Sequence, residues 1–98
     1  MSAEIYVRDP YGKPVKAELI RRLRIKGFRN LALAKRNDRF TVTELRTGAS
    51  VAESFVEEWA IHEAKDRLAT KTTASYLAGI EQIVAQYGEL PVIAEASA

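Results

Sequence analysis

Ninety-eight residues, 47% hydrophobic and without cysteine, suit one compact domain and exclude two independent cores, disulfides and thiolate metal sites. The formal net charge of +2 hides a segregation: up to Arg46 twelve Lys/Arg stand against five Asp/Glu, and from Thr47 onward three stand against eight, so the halves carry +7 and −5. No apolar run approaches the roughly 20 residues of a membrane-spanning helix, and the first residues lack a basic stretch followed by an apolar one, so a soluble cytoplasmic protein is expected.

Glu4 to Arg8 contains Ile5, Tyr6 and Val7, which favour a short strand, and Asp9-Pro10-Tyr11-Gly12 supplies the turn after it. Between Pro14 and Lys26 the apolar residues Val15, Leu19 and Leu23 recur every four positions, with Ile20 beside them, and this spacing predicts a helix closed by Gly27 and Phe28. A rival reading makes Leu23 to Lys26 a strand, since Leu23 and Ile25 alternate with Arg24 and Lys26.

Arg29 to Arg36 and Arg39 to Arg46 flank Asn37-Asp38, a pair that tolerates the positive φ angles of a two-residue hairpin. In that register Leu31, Leu33, Phe40 and Val42 share a core face, while Asn30, Ala32, Ala34, Arg36, Arg39, Thr41 and Thr43 share the other, expected to be wet. Thr47-Gly48 then turns the chain into a third strand, Ala49 to Ala52, with Val51 opposite Glu44.

Ser50 with Glu53 and Ser54 with Glu57 each fit a capping box, and Ser54 suits the meander better. A helix is expected from Phe55 to Ala69 with Val56, Trp59, Ala60, Ala64 and Leu68 on its apolar face. Thr72 or Thr73 can cap a last helix in which Tyr76, Leu77, Ile80, Ile83, Val84 and Tyr87 recur at helical spacing, stopped by Gly88 and Pro91. The domain spans 1–90, and 91–98 is expected to fray.

Catalytic constellations are absent. His62 is the only histidine, four residues before Asp66 on the proposed helix, and reads as a surface pair. Glu57 and Glu58 suit the helix dipole and Glu63 can pair with Arg67, which leaves no reason to invoke a metal. Gly12 and Gly27 stand alone, without the spacing of a phosphate-binding loop. No enzyme activity, cofactor, metal or small-molecule ligand is expected.

The basic cluster is the one functional signal. From Lys13 to Arg39 there are ten cations and two acids. Arg21, Arg22, Arg24 and Lys26 on the helix reading, with Arg36 and Arg39 on the hairpin, are the candidate contacts to nucleic acid. The small residues of the hairpin's outer face would allow entry into a major groove. Phe40, Phe55 and Trp59 are assigned to the core, which leaves little for stacking against single strands.

The stretch from Arg29 to Ala69, three strands and then a helix with an acidic start and Ala60, Ile61 and Ala64 in its body, resembles in pattern the arm-binding domain of phage-type integrases and the HicB-type antitoxin fold. A basic helix before the sheet and a long helix after it depart from both, and no family membership follows.

The expected architecture is α+β, a small antiparallel meander of three to four strands with two to three helices on one face. Trp59, Phe55, Phe40, Val42, Leu33, Leu31, Ile80 and Val84 form its core. The expected function is a non-enzymatic binding module that contacts nucleic acid through its basic half. The alternative is a protein-interaction or assembly module, a homodimer or a partner of another protein, whose charge asymmetry steers association.

Overall fold

The computed structural model describes residues 3–9 and 11–90. The expected fraying of 91–98, and Pro10 and Pro91 in their turns, lie outside the described residues.

Five antiparallel strands form one sheet in sequential order: β1 (Glu4–Arg8), β2 (Pro14–Ile25), β3 (Phe28–Arg36), β4 (Arg39–Glu44) and β5 (Ser50–Ser54). Two helices follow, α1 (Glu57–Ala69) and α2 (Thr73–Tyr87), and both contribute to a core on one face of the sheet. The α+β class and the meander are as expected, with more strands and no helix before the sheet.

The segment expected to be a helix is β2. Apolar residues four apart satisfy a helical repeat and equally a strand repeat of two, so Val15, Leu19 and Leu23 cannot separate the two readings. The rival strand reading of Leu23 onward is the correct one, and it extends back to Pro14. Register shifts fall between Leu19 and Arg21 and between Leu23 and Ile25. The first places Ile20 as an extra residue, bends the strand, and moves the inward set from Val15, Ala17 and Leu19 on one face to Leu23 and Ile25 on the other. Gly27 ends the strand in a hairpin turn with φ 87°, and a Cβ there would lie 2.9 Å from the Thr73 hydroxyl at the start of α2.

The β3–β4 hairpin is as read from Asn37-Asp38. Both residues have positive φ, 50° and 65°, and Arg36 pairs with Arg39, Ala34 with Thr41, and Leu33 with Val42. The middle of its expected wet face is buried, however: Ala32, Ala34 and Thr43 have no accessible surface and Thr41 keeps 7%, while Asn30 and Arg39 near the ends are exposed as expected. The bent β2 carries β1 over this face, where Ile5, Val7, Ala17, Ala32 and Ala34 form a second apolar cluster with Val15, Leu19 and Leu45 packed on it. Small side chains at 17, 32 and 34 are what allow the sheet to curl this tightly. The curl is closed at one end by the Arg8 amide, which donates to the Gly48 carbonyl at 3.0 Å. A Cβ at Gly48, whose φ is 72°, would lie 2.5 Å from Leu90 and 3.1 Å from the Arg8 nitrogen, so the approach of both segments requires glycine.

The helix-bearing face holds Leu31, Leu33, Val42, Ala52, Ala60, Ala64, Leu68, Tyr76 and Ile80, with Phe40 and Val84 partly buried against them. Trp59 and Phe55 are corrections to the expected core: they are 64% and 66% exposed. The helix starts two residues later than expected, at Glu57, with Val56 as N-cap and no side-chain cap. Ala60, Ala64 and Leu68, four residues apart, are the helix's buried seam against the sheet, with Ile61 partly buried beside them, and Trp59 stands outward. Ser54 accepts from the Val56 amide at 3.2 Å instead of completing the capping box. Val51 is likewise not opposite Glu44, because a shift between Val42 and Thr43 leaves it outside the paired register. The last helix is as expected: the Thr72 hydroxyl accepts from the Ser75 amide at 3.0 Å, and Gly88 follows the final turn with φ 79°.

Candidate nucleic-acid interface

The six candidate cations fall into two groups. Arg21, Arg22, Arg24 and Lys26 lie along β2 and its turn, whereas Arg36 and Arg39 flank the turn at the opposite end of β3. Nine strand residues separate the two turns, roughly 27–30 Å. The six do not form one patch.

Two of the six candidates, Arg21 and Arg39, are held by acids of the second half, and other arginines of the chain are likewise engaged. Arg21 lies 3.8 Å from the Glu57 carboxylate at the start of α1. Arg39 donates to Glu53 across β4 and β5, and its guanidinium carbon stands 4.7 Å from the centre of the Phe55 ring. Arg46 donates to Glu81 at 2.8 Å and to Glu89 at 2.6 Å, and these bonds hold its guanidinium well above the usual arginine range. Arg67 is held by Glu63 one turn earlier and donates to the Val51 carbonyl at 2.8 Å. Arg8 anchors the curl: it donates to the carbonyls of Thr47 at 2.7 Å and Gly12 at 2.8 Å, beneath the Tyr87 ring.

The β2–β3 hairpin is different. Arg22, Arg24, Lys26, Arg29 and Asn30 are all exposed within nine residues of chain. Among the described residues Arg24, Lys26 and Arg29 make no ion pair with a carboxylate. Leu23, Ile25 and Phe28 turn inward toward the helices, and Phe28 meets Tyr76 edge-on at 4.9 Å. Alternation therefore places Arg22 and Arg24 on the face away from the helices. The extra residue on β3 opposite Arg24 is accommodated by Asn30 in the left-handed region, φ 61°. Arg29 was not singled out from sequence, because the expected helix ended before it; the hairpin brings it beside Arg24.

The surface expected to enter a groove is unavailable: β1 covers Ala32 and Ala34 on β3, and Thr41 and Thr43 on β4 are buried. Between β1 and β4–β5 remains a cleft of about 340 Å³ lined by Arg8, Arg36 and Arg39 with Asp9 and Glu53. Its floor carries hydroxyls, with Thr41 3.0 Å from Ser50 and 3.4 Å from Thr43. Two of its three cations already have partners, which leaves Arg36 as the cation free to attract an anion among the described residues.

His62 and Asp66 meet on the surface at 3.4 Å, both 69% exposed. Glu44 is the buried acid that sequence did not reveal: 2% exposed, it accepts from the Thr47 amide and hydroxyl at 2.8 and 2.9 Å and from the Arg46 amide at 3.1 Å. These bonds organise the β4–β5 turn. No helix among the described residues is long and apolar enough to cross a membrane. The chain matches no protein-family model, no curated protein and no solved structure.

Proposed function

We propose that the protein is a non-enzymatic nucleic-acid-binding module whose contact surface is the β2–β3 hairpin, with Arg22, Arg24, Lys26 and Arg29 as phosphate contacts and Asn30 placed to reach a base edge. The observation that carries this reading is the contrast in partners. Arg21, Arg39 and Arg46 of the basic half are neutralised by acids of the second half, whereas Arg24, Lys26 and Arg29 project from the hairpin without carboxylate partners among the described residues. A two-stranded ribbon has the width to enter a major groove, and cations along it can neutralise phosphates. Of the six cations expected from sequence, Arg22, Arg24 and Lys26 stay in the proposed site. Arg21 and Arg39 are taken up by ion pairs, and Arg36 lies at the far end of β3.

The test is fluorescence anisotropy with labelled duplex and single-stranded oligonucleotides at about 50 mM and about 200 mM salt. Binding at the lower concentration that weakens at least tenfold at the higher supports the reading. Absence of binding at the lower concentration ends it. The assembly reading is favoured by a separate observation, the exposed aromatic residues at the start of α1.

A further inference from the structure

Phe55, Val56 and Trp59 expose 66%, 49% and 64% of their surface within five residues, whereas the other exposed large hydrophobics among the described residues, Tyr11, Leu77 and Tyr87, are scattered along the chain. Two of these side chains meet a neighbour. Arg39 stacks on Phe55, and the His62 ring meets Trp59 edge-on at 6.5 Å. An uncovered apolar surface of this kind is suited to a partner, and the contacts to Phe55 and Trp59 reduce the side-chain freedom to be lost on docking.

The charge around the patch selects the partner. On the sheet side Arg39 is paired with Glu53, and the uncompensated cation among the described residues is Lys35, 5.5 Å from the centre of the Phe40 ring, with Phe40 paired to Ser54 just before the patch. On the helix side lie Glu58 and Asp66, neither held by a lysine or arginine among the described residues. A single strand of nucleic acid could stack on Phe55 and Trp59, but its phosphates would run against Glu58 and Asp66. A second copy of the chain meets no such conflict. Rotation by 180° about an axis through the patch sets the basic flank of each copy on the acidic flank of the other, which is the self-complementarity a two-fold interface requires.

We infer that this surface is the interface of a homodimer centred on Phe55 and Trp59. The patch and its flanks, taken from two copies, come to roughly 1,000 Å², the lower end of specific interfaces, so the dimer forms and dissociates with concentration. It does not depend on nucleic acid and stands or falls separately from the hairpin reading.

The experiment is sedimentation velocity on the full chain from about 1 to about 500 μM, with Trp59 emission followed over the same range. Trp59 is the only tryptophan. The expected result is a mass that rises from 10.9 kDa toward twice that value, with a blue shift of emission as the indole is buried. Phe55→Ser and Trp59→Ser should remain monomeric with melting curves of the dilute wild type. Glu58→Lys and Lys35→Glu should each dimerise more weakly than wild type, and their equimolar mixture should recover the mass that neither reaches alone. A monomer at every concentration overturns the inference. So does a dimer undiminished in Phe55→Ser and Trp59→Ser, or Trp59 emission that responds to an oligothymidylate but not to protein concentration.

Discussion

Arg46, the last cation of the basic half, donates to Glu81 in the middle of α2 at 2.8 Å. The two residues are 35 positions apart, and Glu89 completes the clasp from beyond the helix. The boundary residue of the basic half is thereby joined to the acidic end of the chain, and the Leu90 amide donates to the Arg46 carbonyl at 2.8 Å in the same place. The second half thus serves partly as an internal counterion to the first, and Arg24, Lys26 and Arg29 of the hairpin are among the cations left without a carboxylate partner among the described residues.

Arg46→Ala should loosen the end of α2 from the β4–β5 turn. Amide exchange at Gly88 to Leu90 is expected to accelerate relative to wild type, while the β3–β4 hairpin keeps its protection. The difference should shrink in about 0.5 M salt, since the pair faces water and is screened. Unchanged exchange at 88–90 would mean that Leu90 docks without the clasp.

The inner face of the curled sheet gives a sharper test of the fold. Ala34 has no accessible surface and lies in the cluster with Ile5, Val7 and Ala17. Ala34→Leu should cost about 1 to 3 kcal/mol in urea unfolding, because the added carbons must displace β1. A change within about 0.5 kcal/mol would be the behaviour of a solvated face and would contradict the covering of β3 by β1.

Tyr76 offers a pH-dependent signature. Its hydroxyl is buried without a partner among the described residues, and burial, aided by the charge of Glu44, pushes the phenol up to about 12 from an ordinary 10.0. The folded state therefore keeps a proton that the unfolded state releases. Stability from this group is complete below pH 10 and declines as pH rises through 12, by on the order of 2 kcal/mol across the window. Tyr76→Phe should remove that part of the alkaline loss. Below pH 10 it should be neutral or stabilising by up to about 1 kcal/mol, since an unsatisfied hydroxyl is deleted. Urea midpoints at pH 8 and pH 11 measure both effects, and an identical alkaline loss in the two proteins would exclude Tyr76 as its source.

Local chemistry made the β3–β4 hairpin legible, because Asn37 and Asp38 accept positive φ and the alternation on either side fixes the register. The last helix was legible for a similar reason, with Thr72 and Gly88 marking its ends. β2 was not, since a repeat of four fits both periods and only the bulge at Ile20 makes the strand inward-facing throughout. Trp59 misled through its size: a large aromatic beside an alanine seam is expected inside, yet Ala60, Ala64 and Leu68 already fill the gap to the sheet. The candidate site inherited the first of these ambiguities. Arg22, Arg24 and Lys26 could be chosen from charge alone, but Arg29 joins them only through strand pairing, and the removal of Arg21 and Arg39 into ion pairs depends on where α1 and β5 arrive.

The hairpin's role is tested most directly by the salt dependence of duplex binding in wild type and in the combined variant Arg24→Ala, Lys26→Ala, Arg29→Ala. Each phosphate contact contributes about 0.9 to the slope of log affinity against log salt, so the variant should lose about 2 to 3 from the magnitude of that slope without a change in melting temperature. The paired control Arg21→Ala, Arg39→Ala should keep the wild-type slope. A slope unaltered by the hairpin substitutions, or lost in the control instead, would contradict the account.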